Sequence, residues 1–222
     1  MERIINKNRK LSNIILKAAG IFILAYAVSL FLWAGYGPYG GIKGVYGTFI
    51  TTVASYTVAP IKNAKIVDIT RTGDKVSVGF IPKKYGVKTI LQTTIDVPIS
   101  NYSFNVPLTI AIMAAFFPFV IRKRIYAEAL AILVFVHLLF VFSLEGEKLT
   151  TAFTTQGYEK QSNFTQIFWE FLWGFVDNMV LRFEPFLIGA YLFFFRNRQP
   201  EKKETTDTAK PKRTKKKRKR SR

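Results

Sequence analysis

Apolar residues in this chain run in long blocks, and short basic clusters separate the blocks. The first block, NIILKAAGIFILAYAVSLFLWA over residues 13–34, has about the ~20 residues a helix needs to cross a bilayer core. Its one charge, Lys17, sits near the start, where its stem can carry the ammonium back to the headgroups. The basic MERIINKNRK before it has the look of a secretory n-region, but the apolar run exceeds a signal h-region of roughly 7–15 residues and lacks an A-x-A site. The pattern favours an uncleaved anchor. A second block, VPLTIAIMAAFFPFVI at 106–121, is short unless the flanking NYSF contributes, and it ends at Arg122, Lys123 and Arg124. The third, 125–144, follows after almost no loop, which predicts a tight antiparallel hairpin. The fourth, Phe164 to Phe195, is too long for one ordinary crossing and contains Pro185, which removes an N–H and favours a kink or a break. It reads as an amphipathic segment from Phe164 to about Leu181, partly in the interface, followed by a crossing that ends in FLIGAYLFFF.

Positive charge orients these blocks. Arg3, Lys7, Arg9 and Lys10, the Arg122–Arg124 turn, and Arg196 and Arg198 all fall on one side if there are four crossings. Both termini, 1–12 and 197–222, are then cytoplasmic. Residues 35–105 form an extracytoplasmic module, 145–163 a short external loop, and 164–196 the amphipathic segment with the last crossing.

The module has a pattern of its own. GVYGTFITTVASYTVAP predicts a helix with Tyr46, Phe49, Ile50 and Val53 on one face and Pro60 at its end. KIVDITRTGDKVSVGFI predicts two strands turning at Thr72–Gly73–Asp74, with Val76, Val78 and Phe80 on one face; a third strand is expected over Val87–Val97. One helix and three strands are marginal alone, so the module is expected to lean on the membrane helices or on a partner. GYGPYGG, Gly35 to Gly41, reads as a flexible linker whose Tyr36 and Tyr39 suit the interfacial aromatic belt; a functional loop is the sharper alternative.

Composition then changes the picture at one end. The 222 residues carry a net charge of +19 and 49% are hydrophobic, 21 of them Phe; mean hydropathy is +0.15. The last thirteen residues, KPKRTKKKRKRSR, hold ten Lys or Arg and no acid. After Gln199 no large apolar residue is left to build a core, so this tail is expected to be disordered. Lys215, Lys216, Lys217, Arg218, Lys219 and Arg220 suit anionic lipid headgroups at a cytoplasmic membrane surface. RNA or the ribosome remains open, since phosphate attraction needs no motif, as does a protein partner. Base stacking is unsupported, because no aromatic residue is interleaved with the tail charges.

Candidate chemistry is sought where charge is costly. Cysteine is absent, which excludes a disulfide framework, a thiolate metal site and a cysteine nucleophile. No phosphate-binding glycine loop, metal spacing or nucleophile elbow occurs, and no cofactor or catalytic residue is expected. Glu170, Asp177 and Glu184 are seven apart, so a continuous helix lines them up in one stripe opposite Phe168, Phe171, Phe175 and Met179; Arg182 lies nearby. The stripe is either the wet face of an interfacial helix or the face turned to a partner or polar path. His137, the one histidine, has apolar neighbours and suits a hydrogen bond to another span. Glu128 follows Arg124 by four residues and suits a local ion pair.

At NYSFNVPLTIAIMAAF, the Tyr-Ser-aromatic step followed by Pro-Leu and a span resembles the membrane proteins that accompany a bacterial exosortase, of the exosortase H type. Tyr102, Ser103, Pro107 and Leu108 carry the likeness; Asn105 stands where that family has Gly. The order of anchor, module, hairpin of spans and aromatic last region is similar too. Exosortases are membrane cysteine transpeptidases acting on proteins with C-terminal sorting signals. The resemblance implies a non-catalytic companion with an integral-membrane partner. Two other classes stay open: a subunit of a transport or secretion complex whose acidic stripe lines a polar path, and a membrane tether that works through the basic tail.

Overall fold

The computed structural model describes residues 2–35, 41–83, 91–120, 123–158 and 162–195, with side chains from residue 12. The basic tail with Arg196 and Arg198, the Tyr36–Tyr39 segment, Arg122 and the start of the expected third strand lie outside them.

Among the described residues, four helical stretches are long and apolar enough to cross a membrane: Ser12–Ala34, Ile99–Phe119, Arg124–Thr155 and Asn163–Phe195. The first belongs to α1 (Glu2–Ala34). Its Leu16, Ile23, Leu24 and Phe31 point away from the protein, as they do where the surrounding solvent is hydrocarbon and apolar burial between helices brings little advantage. The second is a chain of short pieces, α3 (Ile99–Ser103), α4 (Val106–Phe116) and a 3₁₀ turn at Phe117–Phe119. The helical path therefore starts well before Val106, and the NYSF residues supply the missing length.

The third, α5 (Arg124–Thr155), runs eleven residues past Leu144 into what the sequence suggests is a loop. Leu149 and Phe153, four apart, are buried there and join the core of the module, so packing overrides the charged EGEK start. The fourth is helical throughout as α6 (Asn163–Phe175), a π-helical turn (Val176–Leu181) and α7 (Arg182–Phe195). The expected break at Pro185 is instead absorbed by widening of the preceding turn, one of the recognised responses of a helix to a disrupted ladder.

The module consists of α2 (Gly41–Ile61) and the antiparallel meander β1 (Ala64–Thr72), β2 (Lys75–Pro82), β3 (Thr93–Pro98). Thr72 pairs with Lys75 across a two-residue turn in which Gly73 takes φ +60°, where glycine is unstrained. Val76, Val78, Phe80 and Val97 are fully buried and share one core with Ile50, Ala54 and Val58 of α2 and Leu149 and Phe153 of α5. Period-2 alternation therefore holds in β2. Lys43 binds Asp74 at 2.6 Å. Burial opposes ionisation of Asp74, yet hydrogen bonds from Lys43 and Ser100 outweigh it and hold the carboxyl below its ordinary range.

The expected face of α2 is corrected. Ile50 is buried, but its companions are Gly44, Gly47, Thr51, Ala54, Ser55 and Val58, while Phe49 faces outward. Small residues face inward because α2 lies close against its neighbours: a Cβ on Gly47 would stand 2.5 Å from the Ile99 side chain. Gly146 on α5 is tighter, with the Trp169 ring 2.0 Å from where a Cβ would be. Gly146→Ala is expected to force that ring out of place and to cost about 1–2 kcal/mol, read as a lower unfolding midpoint in detergent micelles.

Candidate functional site

Polar side chains without access to solvent are costly unless paired, and this bundle contains a chain of them. His137, on α5, has no exposed surface. Its Nδ1 lies 2.6 Å from the Tyr46 hydroxyl on α2, and its Nε2 lies 2.9 Å from Oε2 of Glu184 on α7. The hydroxyl of Thr109 on α4 donates to the other carboxylate oxygen, Oε1, at 3.2 Å. The Tyr46 hydroxyl can give or accept a hydrogen bond, so the tautomer of the imidazole sets which of the two groups donates. The contact of His137 with Glu184 is at ion-pair distance but lacks hydrogen-bond alignment, since neither Nε2 nor Oε2 has a hydrogen-bond partner; its attraction is electrostatic. The ring edges of Tyr46 and Tyr102 close the sides of the imidazole.

Two further contacts repeat the arrangement. Ser55 of α2 donates to Oε1 of the buried Glu145 at 2.7 Å. Tyr102 donates to the Gly47 carbonyl at 3.0 Å. The module helix is thus bound to the membrane helices near its start, by Tyr46 to His137 and by Gly47 and Thr51 to Tyr102, and further along by Ser55 to Glu145.

A different device accompanies Pro185. An α-helical turn would pair the Leu181 carbonyl with the N–H of residue 185, which proline does not have. The Asn105 side chain supplies that donor instead, its Nδ2 lying 2.6 Å from Leu181 O with both groups buried. Asn105 therefore joins the start of α4 to the start of α7 and satisfies a carbonyl that hydrocarbon could not.

The seven-residue stripe does not hold together. An extra residue in the π turn shifts the phase of everything after it, so Glu184 turns inward to His137 while Glu170 stays exposed and accepts from Gln166 at 2.8 Å. Asp177 and Arg182 go to a third place, an open cleft of about 500 Å³ that they line with Ser100, Asn101, Phe104 and Leu181. Of the motif residues, Tyr102, Ser103 and Pro107 are buried packing groups and Leu108 is half-buried; the Ser103 hydroxyl bonds its own turn at Ile99 O. Glu128 pairs with Arg124 at 3.3 Å and accepts from Tyr191 at 2.5 Å.

Sequence reasoning singled out His137 and Glu184 without joining them, and it missed Asn105, Thr109, Glu145 and the partner role of Tyr46. A hydroxyl at Thr109 inside an otherwise apolar span was the available signal. Among the described residues no group of three or more His, Cys, Asp or Glu is placed to hold a metal ion. Comparison with protein families, with characterised proteins and with solved structures finds no match.

Proposed function

We propose that this chain is a non-catalytic accessory protein of the cell membrane that holds an extracytoplasmic α/β module in fixed register on a membrane bundle for an integral-membrane partner. The partner class is an exosortase-type transpeptidase that sorts envelope proteins. One observation carries the reading: the ionisable groups buried in the bundle are bound to the protein's own elements. His137 holds Tyr46 and Glu145 holds Ser55, so their role is to fix α2, and the sheet on it, to α5. A transport path is the weaker reading, because a path needs solvent, and His137, Glu184 and Thr109 have no exposed surface.

In this reading the Arg124 end of α5 and both termini face the cytoplasm, which the positive-inside bias of the basic clusters supports. The tail then lies against anionic lipid, attracted by about 1 kcal/mol per Lys or Arg near the surface, and serves to retain topology.

Affinity purification of the full-length chain in mild detergent, with and without nuclease, tests the proposal. The expected result is a stoichiometric, nuclease-resistant membrane partner with a reactive cysteine. A chain recovered alone, or with ribosomal material that nuclease removes, contradicts it.

A further inference from the structure

The open cleft at the start of α7 holds two charges of opposite sign that the rest of the fold does not use. Among the described residues neither Asp177 nor Arg182 has an ion-pair partner. Asn101, on the same wall, is exposed.

The height of the cleft follows from the helix contacts. At about 1.5 Å per residue, His137 stands roughly 20 Å along α5 from Arg124. Glu184 touches His137, and Tyr191 touches Glu128, so α7 runs antiparallel to α5. Asp177, seven residues before Glu184, therefore stands roughly 10 Å further on. That is about 30 Å from Arg124, at the opposite edge of a bilayer core about 30 Å thick. Arg182 begins slightly deeper, and its long side chain reaches the same level. The cleft thus opens where lipid headgroups lie, with exposed Phe104 and Phe183 on the acyl side.

We infer that this cleft binds the zwitterionic headgroup of a phosphoethanolamine lipid. Arg182 offers two parallel N–H donors to the phosphate, and the Asn101 amide offers another. The Asp177 carboxylate accepts from the primary ammonium. A choline headgroup has no N–H to give Asp177, and an anionic headgroup brings negative charge towards it. The assignment does not depend on the identity of any protein partner.

The test is native mass spectrometry of the full-length chain, released from nanodiscs of equal phosphatidylethanolamine, phosphatidylcholine and phosphatidylglycerol. The wild-type chain should retain one phosphatidylethanolamine with about tenfold preference, the equivalent of one charge-assisted hydrogen bond. Asp177→Asn should remove the preference over phosphatidylcholine, and Arg182→Gln should remove retention of all three. Arg182→Lys, which keeps the charge without the two-pronged geometry, should fall between. Glu170→Gln, outside the cleft, should behave as wild type. Soluble glycerophosphoethanolamine should fail to displace the lipid; displacement by it at equal concentration overturns the lipid as the source. Absence of headgroup preference in the wild-type chain, a preference for phosphatidylglycerol, or the same preference in the Asp177 and Arg182 variants overturns the site.

Discussion

Glu184→Ala is expected to destabilise the folded bundle by about 2–3 kcal/mol, the upper part of the range for leaving buried polar groups without their partner. The variant leaves Nε2 of His137 and the Thr109 hydroxyl facing a void among buried side chains. Reversible unfolding in micelles, followed by near-UV circular dichroism, reads the loss. Glu184→Gln should lose less, because its amide oxygen still accepts from Thr109. The quadruple variant Tyr46→Phe, Thr109→Val, His137→Leu, Glu184→Leu should recover most of the loss, since a well-packed apolar replacement carries no unpaired group. A Glu184→Ala variant within about 1 kcal/mol of wild type would mean the contact does no more than a surface ion pair.

Asn105→Ala should cost about 2–3 kcal/mol, since it leaves the Leu181 carbonyl without a donor among apolar side chains. The cost belongs to the proline as much as to the asparagine. Pro185→Ala restores an N–H that can reach Leu181 O along the helix, so in that background Asn105→Ala should cost less than about 1 kcal/mol. A double-mutant cycle isolates the coupling. Additive effects would show that Asn105 acts through packing alone.

The spans were legible because their signal is length and composition, which need no partner to be read. The β1–β2 turn was legible because Gly73 and Asp74 interrupt an alternation that Val76, Val78 and Phe80 keep afterwards. The buried face of α2 was not, since the usual rule puts large apolar residues inside. Here Gly44 and Gly47 face inward and Phe49 faces outward, because part of the surroundings is apolar and close approach selects small residues. The extension of α5 past Leu144 depended on a sheet for Leu149 and Phe153 to support, which is information from elsewhere in the chain. The stripe of Glu170, Asp177 and Glu184 failed for one local reason, a π turn whose extra residue Pro185 alone does not specify, since a proline is also met by a kink or a break. Contacts such as Asn105 to Leu181, 76 residues apart, are set by how helices meet and leave no periodic trace.

These corrections converge on how the module is held. Polar contacts at Tyr46, Gly47, Thr51 and Ser55 bind α2 to the membrane helices, and the deepest of them, Tyr46 to His137, places the first turns of α2 beside the middle of α5 rather than above it. A module tethered only by its linkers would have no such depth.

Because the chain has no cysteine, a pair of spin labels can be introduced without a background to remove. Lys65→Cys on the outer strand β1 and Lys123→Cys at the start of α5 are both exposed positions. The measurement is the distance distribution between them by pulsed dipolar spectroscopy in bilayer nanodiscs. A module locked to the bundle gives one narrow distance, and the same pair broadens when Glu184→Ala loosens the polar chain. A broad or multiple distribution in the otherwise wild-type chain would mean the module moves freely over the membrane, and would contradict the account.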